Sequence, residues 1–124
     1  MSDYTPDRWT VIRIHANTGI VYKVFASWSG GGLMGSDSWQ VNSGIVRATL
    51  ADTHWEFDGS SGSVYRCHRE AYGTNGYGGH VLSNLISQAQ DQGIQIEVMD
   101  GQTDWAQLQY DTLAQWVQGG VKDA

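Results

Sequence analysis

The chain has 124 residues with one cysteine, one proline and no long apolar run, and each shortage removes a class of protein. Cys67 alone closes no internal disulfide, which points away from stapled secreted scaffolds and toward a reducing, cytoplasmic setting. No stretch approaches the ~18 apolar residues of a membrane-spanning helix or follows a basic start as a signal peptide does. Because Pro6 is the single proline, no later run is barred from ladder pairing. Charge is scarce too: 16% of residues carry one, and acids exceed bases by six.

That excess is uneven. Residues 70–124 hold Glu70, Asp91, Glu97, Asp100, Asp104, Asp111 and Asp123 against Lys122, whereas residues 8–69 carry more bases than acids. The C-terminal part should therefore repel nucleic acid and anionic lipid and attract a basic partner surface, most strongly at low salt. With 40% apolar residues, six Trp and six Tyr, the chain has the material for one folded domain over 1–124, with 1–7 and 119–124 expected as flexible ends.

From Trp9 to Arg69, short β-branched and aromatic runs alternate with glycine turns, as in an antiparallel meander. The runs read as strands are Trp9–Ala16, Ile20–Trp28, Ser38–Val41, Ile45–Leu50, His54–Asp58 and Ser63–Arg69. "NTGIVYK" from Asn17, "NSGIVR" from Asn42 and "SSGSVYR" from Ser60 share a polar pair, a glycine and a Val-containing strand. They read as recurring hairpin turns whose glycine takes a positive φ. A hairpin symmetric about Ser60 and Ser61 places Trp55 opposite Arg66, a cation–π candidate, and His54 opposite Cys67.

After Glu70 the pattern changes. Past the connector Ala71–Gly79, Val81, Leu82, Leu85, Ile86 and Ala89 recur at helical spacing, with Gly93 placed to end the helix. Ile94–Met99 alternates like a strand with one buried face. Trp105, Leu108, Leu113, Trp116 and Val117 then suggest a second helix capped by Thr103 or Asp104 and stopped at Gly119. The expected fold is α+β: a meander of five to six strands over 9–69, then helix, strand and helix over 80–118, with both helices on one face of the sheet.

Gly30, Gly32 and Gly35 match the G-x-G-x-x-G spacing of a dinucleotide loop, but "SDSWQVNSG" follows where that loop needs a helix N-terminus. In a chain with 16 glycines the match carries no cofactor, and none is expected. Leu33 and Met34 among these glycines, bracketed by Trp28, Asp37 and Trp39, form either a cover for the sheet core or an apolar finger for a partner. Tyr72, Tyr77 and His80 on the glycine-rich connector are its counterpart, and Asp104 and Asp111 supply the acidic face.

Catalytic chemistry is thinly represented. Cys67 and His68 are neighbours and face opposite sides of a strand, leaving His54 as the only geometric partner for a Cys/His hydrolase. His54, Glu56, Cys67, His68 and His80 lack metal-ligand spacing, so no metal is expected. These features favour a small non-enzymatic binding protein acting by protein–protein interaction or inhibition, of the accessory type that bacteriophages and prophages direct at host systems. The alternative is a binder of a small or nucleotide-like metabolite through its glycine loops and aromatics. A homo-oligomer is compatible with either.

Overall fold

A computed structural model describes residues 3–17, 19–29 and 37–110. The strands are β1 (Asp3–Tyr4), β2 (Arg8–Ala16), β3 (Gly19–Trp28), β4 (Ser38–Val41), β5 (Ile45–Ala51), β6 (His54–Gly59), β7 (Val64–His68) and β8 (Gln95–Val98). Helix α1 (Gly76–Asp91) lies between β7 and β8, and a 3-10 turn covers Trp105–Gln107. Within the N-terminal stretch expected to be flexible, β1 lies parallel to β7.

The expected single meander with two flanking helices is overturned. The protein is mostly β, built as two four-stranded sheets with order β1-β7-β6-β5 and β4-β3-β2-β8, and α1 is the one α-helix among the described residues. Local patterning marked every strand except β1 within a residue or two but did not carry partner choice. At Asn42–Gly44 the chain leaves the second sheet and enters the first, so "NSGIVR" is a corner between sheets and not a hairpin. Asn42 anchors it: its Oδ1 accepts from the Val24 N–H at 2.9 Å, and Ser43 Oγ accepts from the Ser61 N–H at 2.9 Å. The expected second helix is also absent where it can be seen, because Leu108 is extended directly after the 3-10 turn. Leu113, Trp116 and Val117 lie outside the described residues.

Three layers result. Trp9, Val11, Tyr22, Val24 and Ala26 from the second sheet meet Ile45, Phe57, Tyr65 and Cys67 from the first. On the other side, Ile12 and Phe25 meet Leu82 of α1, with Val81, Leu85 and Ile86 around them. β2 and β3 are thus buried on both faces, which is why their sequences run as near-continuous apolar stretches. Each large side chain so buried contributes about 1.5–3 kcal/mol. A hydrogen bond from Gln40 Nε2 to the Tyr65 hydroxyl at 2.7 Å crosses between the sheets.

Helix α1 begins four residues before the expected His80, inside the glycine connector, because Asn75 Oδ1 accepts from the Gly78 N–H at 2.6 Å and caps it. A Cβ on Gly78 would come 3.1 Å from Ser27, so the bare glycine lets the helix sit on the sheet. At its other end Gly93 (φ +77°) turns the chain, and the Ile94 N–H closes onto the Ala89 carbonyl at 2.9 Å.

The β6–β7 hairpin pivots on Ser61, half a residue from the expected centre between Ser60 and Ser61, which shifts every pair by one. Gly59 N–H donates to Ser63 O at 2.8 Å, Gly62 takes φ +95°, and the loop has three residues instead of two. The register therefore pairs Trp55 with Cys67, Glu56 with Arg66 and His54 with His68. This one-residue slip exchanges faces. Trp55 and Arg66 form no cation–π pair; Arg66 bonds Asp3 and Glu56 instead.

A Cβ at Gly101 would lie 2.6 Å from Tyr72 Cδ2, whereas one at Gly76 meets nothing within 4 Å. Gly101→Ala should cost about 1–3 kcal/mol in urea unfolding while Gly76→Ala stays near neutral; equal effects would contradict the Gly101–Tyr72 contact. Glu97 Oε1 accepts from His15 Nε2 at 2.8 Å and from Arg13 Nε at 2.7 Å, and these two partners hold its carboxyl below the usual carboxylate value. A depressed carboxyl adds stability above its unfolded pKa and loses it as pH falls through the folded value. Unfolding measured from about pH 7 to about pH 3 should show a shallower acid loss for Glu97→Gln than for wild type, starting below about pH 4.3.

Candidate functional site

The first sheet ends at the two-residue turn Asp52–Thr53, where Asp52 holds φ +54°, a backbone state Asp tolerates better than most residues. Leu50 pairs with Trp55 across this turn, and both lie on the sheet face that looks toward the second sheet. Neither is fully covered: Leu50 is 48% exposed and Trp55 is half-buried. The sandwich is open at this end.

Its opposite wall is the segment after β8. Asp100 Oδ1 accepts from the Gln102 N–H at 2.7 Å, and Thr103 Oγ1 donates to the Asp100 carbonyl at 2.6 Å, folding a tight turn. Asp104 Oδ1 then accepts from the Ala106 N–H at 3.2 Å and caps the 3-10 turn. That turn drives Trp105 into the core, where it stacks on Tyr72 at 5.9 Å and meets Trp9 edge-on at 6.0 Å. Trp9 Nε1 donates to the His68 carbonyl at 2.7 Å, fixing the indole between the sheets.

Between these walls lies a cleft of about 790 Å³. Trp9, Trp55, Trp105 and Leu50 form its inner surface; Asp52, His68, Arg69, Glu70, Gln102 and Asp104 are among its polar lining. Three acids against one base give it an electronegative rim.

The expected site residues are scattered. Tyr72 is structural: its hydroxyl donates to the Met99 carbonyl at 2.5 Å and accepts from the Val11 N–H at 3.2 Å. Trp28 Nε1 donates to the Thr5 carbonyl at 3.0 Å, and the ring meets Tyr4 edge-on. Trp39 stacks on Phe25 at 5.7 Å yet remains 39% exposed. Asp37 precedes β4, Tyr77 is exposed in the first turn of α1, and His80 follows it on the same helix. Trp39 pairs with Ser27, on which Gly78 packs, so Trp39 and Tyr77 mark one corner of the helix-bearing face. Asp104 lies at the cleft instead. Leu33, Met34 and Asp111 lie outside the described residues, as does the glycine motif; the residues after it, Ser38–Val41, are strand.

Leu50, Trp55, Glu70 and Gln102 were missed as a group. The available signal was a Leu and a Trp set symmetrically about the Asp52–Thr53 turn, which makes them cross-strand neighbours at a sheet end.

Cys67 and His54 point to opposite faces of their hairpin, so the hydrolase pair does not form. Cys67 is fully buried, and burial pushes its thiol pKa up, away from the nucleophilic thiolate. His54 and His68 do meet, with ring centroids 5.1 Å apart. His68 Nδ1 accepts from the Glu70 N–H at 3.1 Å, which puts the proton of neutral His68 on Nε2 and makes that nitrogen a donor and not a metal ligand. Among the described residues no group of three His, Cys, Asp or Glu is placed to hold a metal, and no helix is long and apolar enough to cross a membrane. No protein family, curated protein or solved structure matches the chain.

Iodoacetamide should leave Cys67 unmodified in the native protein and alkylate it only as urea unfolds the chain. Mass spectrometry showing fast native labelling would contradict this burial.

Proposed function

We propose that the protein is a non-enzymatic binding protein that acts by protein–protein interaction through the open end of its sandwich. One observation carries this reading: Leu50, an inward-facing residue of a core sheet, is 48% exposed beside Trp55 in a cleft of about 790 Å³. Exposed apolar surface inside a polar rim is the build of an interface hot spot, where an anchoring side chain is desolvated and its surroundings exclude water. Occluding the partner's own surface is the mode of action this supports, as in a small accessory or inhibitor protein.

The same cleft has the volume of a small-molecule pocket, which favours the metabolite reading as the second choice. Its acids weigh against nucleotide phosphates, because Asp52, Glu70 and Asp104 face Arg69 alone as a permanent cation. A thermal-shift screen of phosphorylated and neutral metabolites separates the two readings, since tight occupancy at excess ligand raises the melting temperature measurably.

Leu50→Ser is the direct test, with Val98→Ser as control because Val98 is 44% exposed away from the cleft. Both sites are about half-buried, so each change should cost a comparable stability of about 1 kcal/mol, which the melting temperatures report. Affinity capture from the source cells with quantitative mass spectrometry should recover a stoichiometric partner with wild type and with Val98→Ser, and lose it with Leu50→Ser. Retention of that partner by Leu50→Ser, at a melting temperature like that of Val98→Ser, would remove the cleft from the mechanism.

A further inference from the structure

We infer that the group the cleft receives is an arginine side chain presented by the partner protein, an inference that rests on the cleft being the binding surface. Several acids outside the cleft are already neutralised. On the sheets and their edges, Asp3 and Glu56 meet Arg66, Asp58 meets Arg47, and Glu97 meets Arg13. The three cleft acids have no such partner among the described residues. Asp52, Glu70 and Asp104 come from three separate segments, the β5–β6 turn, the turn after β7 and the loop before the 3-10 turn, and the fold brings them around one opening. Asp104 spends Oδ1 on its cap, leaving Oδ2 for a donor. Arg69 opposes an incoming cation, but the four permanent charges on the lining still sum to a net of two negatives.

The apolar part of the cleft selects among cations. A metal ion gains nothing from Leu50, and a compact, strongly hydrated ammonium must shed more water than a guanidinium to reach the Trp55 face and cannot span two carboxylate oxygens with a planar fork. A guanidinium is planar and weakly hydrated, stacks on an indole face, and offers donors in a fork that spans two carboxylate oxygens. Its three-methylene stem covers apolar surface such as Leu50 while the head stays with the acids. An arginine thus satisfies both parts of the cleft at once.

The probe is Nα-acetyl-arginine amide titrated into the full-length protein, followed by amide and indole shifts of Leu50, Trp55 and Gln102 in NMR. The comparison is Nα-acetyl-citrulline amide, which keeps the shape and loses the charge. The arginine probe should give saturable shifts confined to the cleft. Glu70→Gln, or Asp104→Asn, which keeps the capping oxygen, should weaken it about two- to fivefold, as for an exposed ion pair. Raising salt from about 0.01 M to about 0.15 M should weaken it further. Equal binding of citrulline, or indifference to both charge removals, overturns the arginine inference while the cleft remains a binding surface. No shift at all, with Leu50→Ser still abolishing partner capture, also overturns it. Partner capture that survives Leu50→Ser brings down the cleft reading itself.

Discussion

The Trp9 indole is the contact on which the arrangement turns. It lies between the two sheets, tied through Nε1 to the His68 carbonyl of the first sheet while its backbone belongs to the second. Phe57, Tyr72 and Trp105 surround it with ring centroids 4.8–6.0 Å away. Its main chain binds the connector as well: the Gly73 N–H donates to the Trp9 carbonyl at 2.7 Å. One residue therefore joins both sheets, the connector that leads into α1 and Trp105. Aromatic rings meeting edge to face add specificity to the area they bury, so the geometry is held as well as the contact.

The cleft is a consequence of that packing. Trp105 closes the core from the side and seals Trp9, leaving both about 1% exposed, while Leu50 at the hairpin end stays 48% exposed and Trp55 half-buried. Tyr72 decides where the wall stands, because its ring lies against Gly101 and its hydroxyl holds the Met99 carbonyl. A side chain at position 101 would push the Asp100–Asp104 turn away from the sandwich. The open end is thus built by the same aromatic group that stabilises the fold, which links the shape of the proposed binding surface to core packing.

Much of the strand content was legible in the sequence. β-Branched and aromatic runs bounded by glycine turns located seven of the eight strands, and Gly19, Gly44 and Gly62 do take positive φ. What could not be read was pairing. "NSGIVR" resembles the other two turns because a corner between sheets needs the same local backbone as a hairpin. The start of α1 was hidden because Gly76, Gly78 and Gly79 have poor helix propensity, which the Asn75 cap and the contact with Ser27 outweigh. Of the expected site, Asp104 belongs to the cleft, while Tyr72, the most aromatic feature of the connector, belongs to the core.

By itself the sequence determined local conformation: where strands run, where glycine turns them, how α1 ends at Gly93 and that the second half is acidic. These depend on steric and hydrogen-bonding preferences acting over a few residues, and the chain carries them wherever it goes. Only the tertiary structure decided that β4 and β5 part into different sheets, that the β6–β7 register pivots on Ser61, and that Asp52, Glu70 and Asp104 surround one opening. Those outcomes depend on which apolar faces bury each other best, a comparison between distant segments that no local pattern encodes.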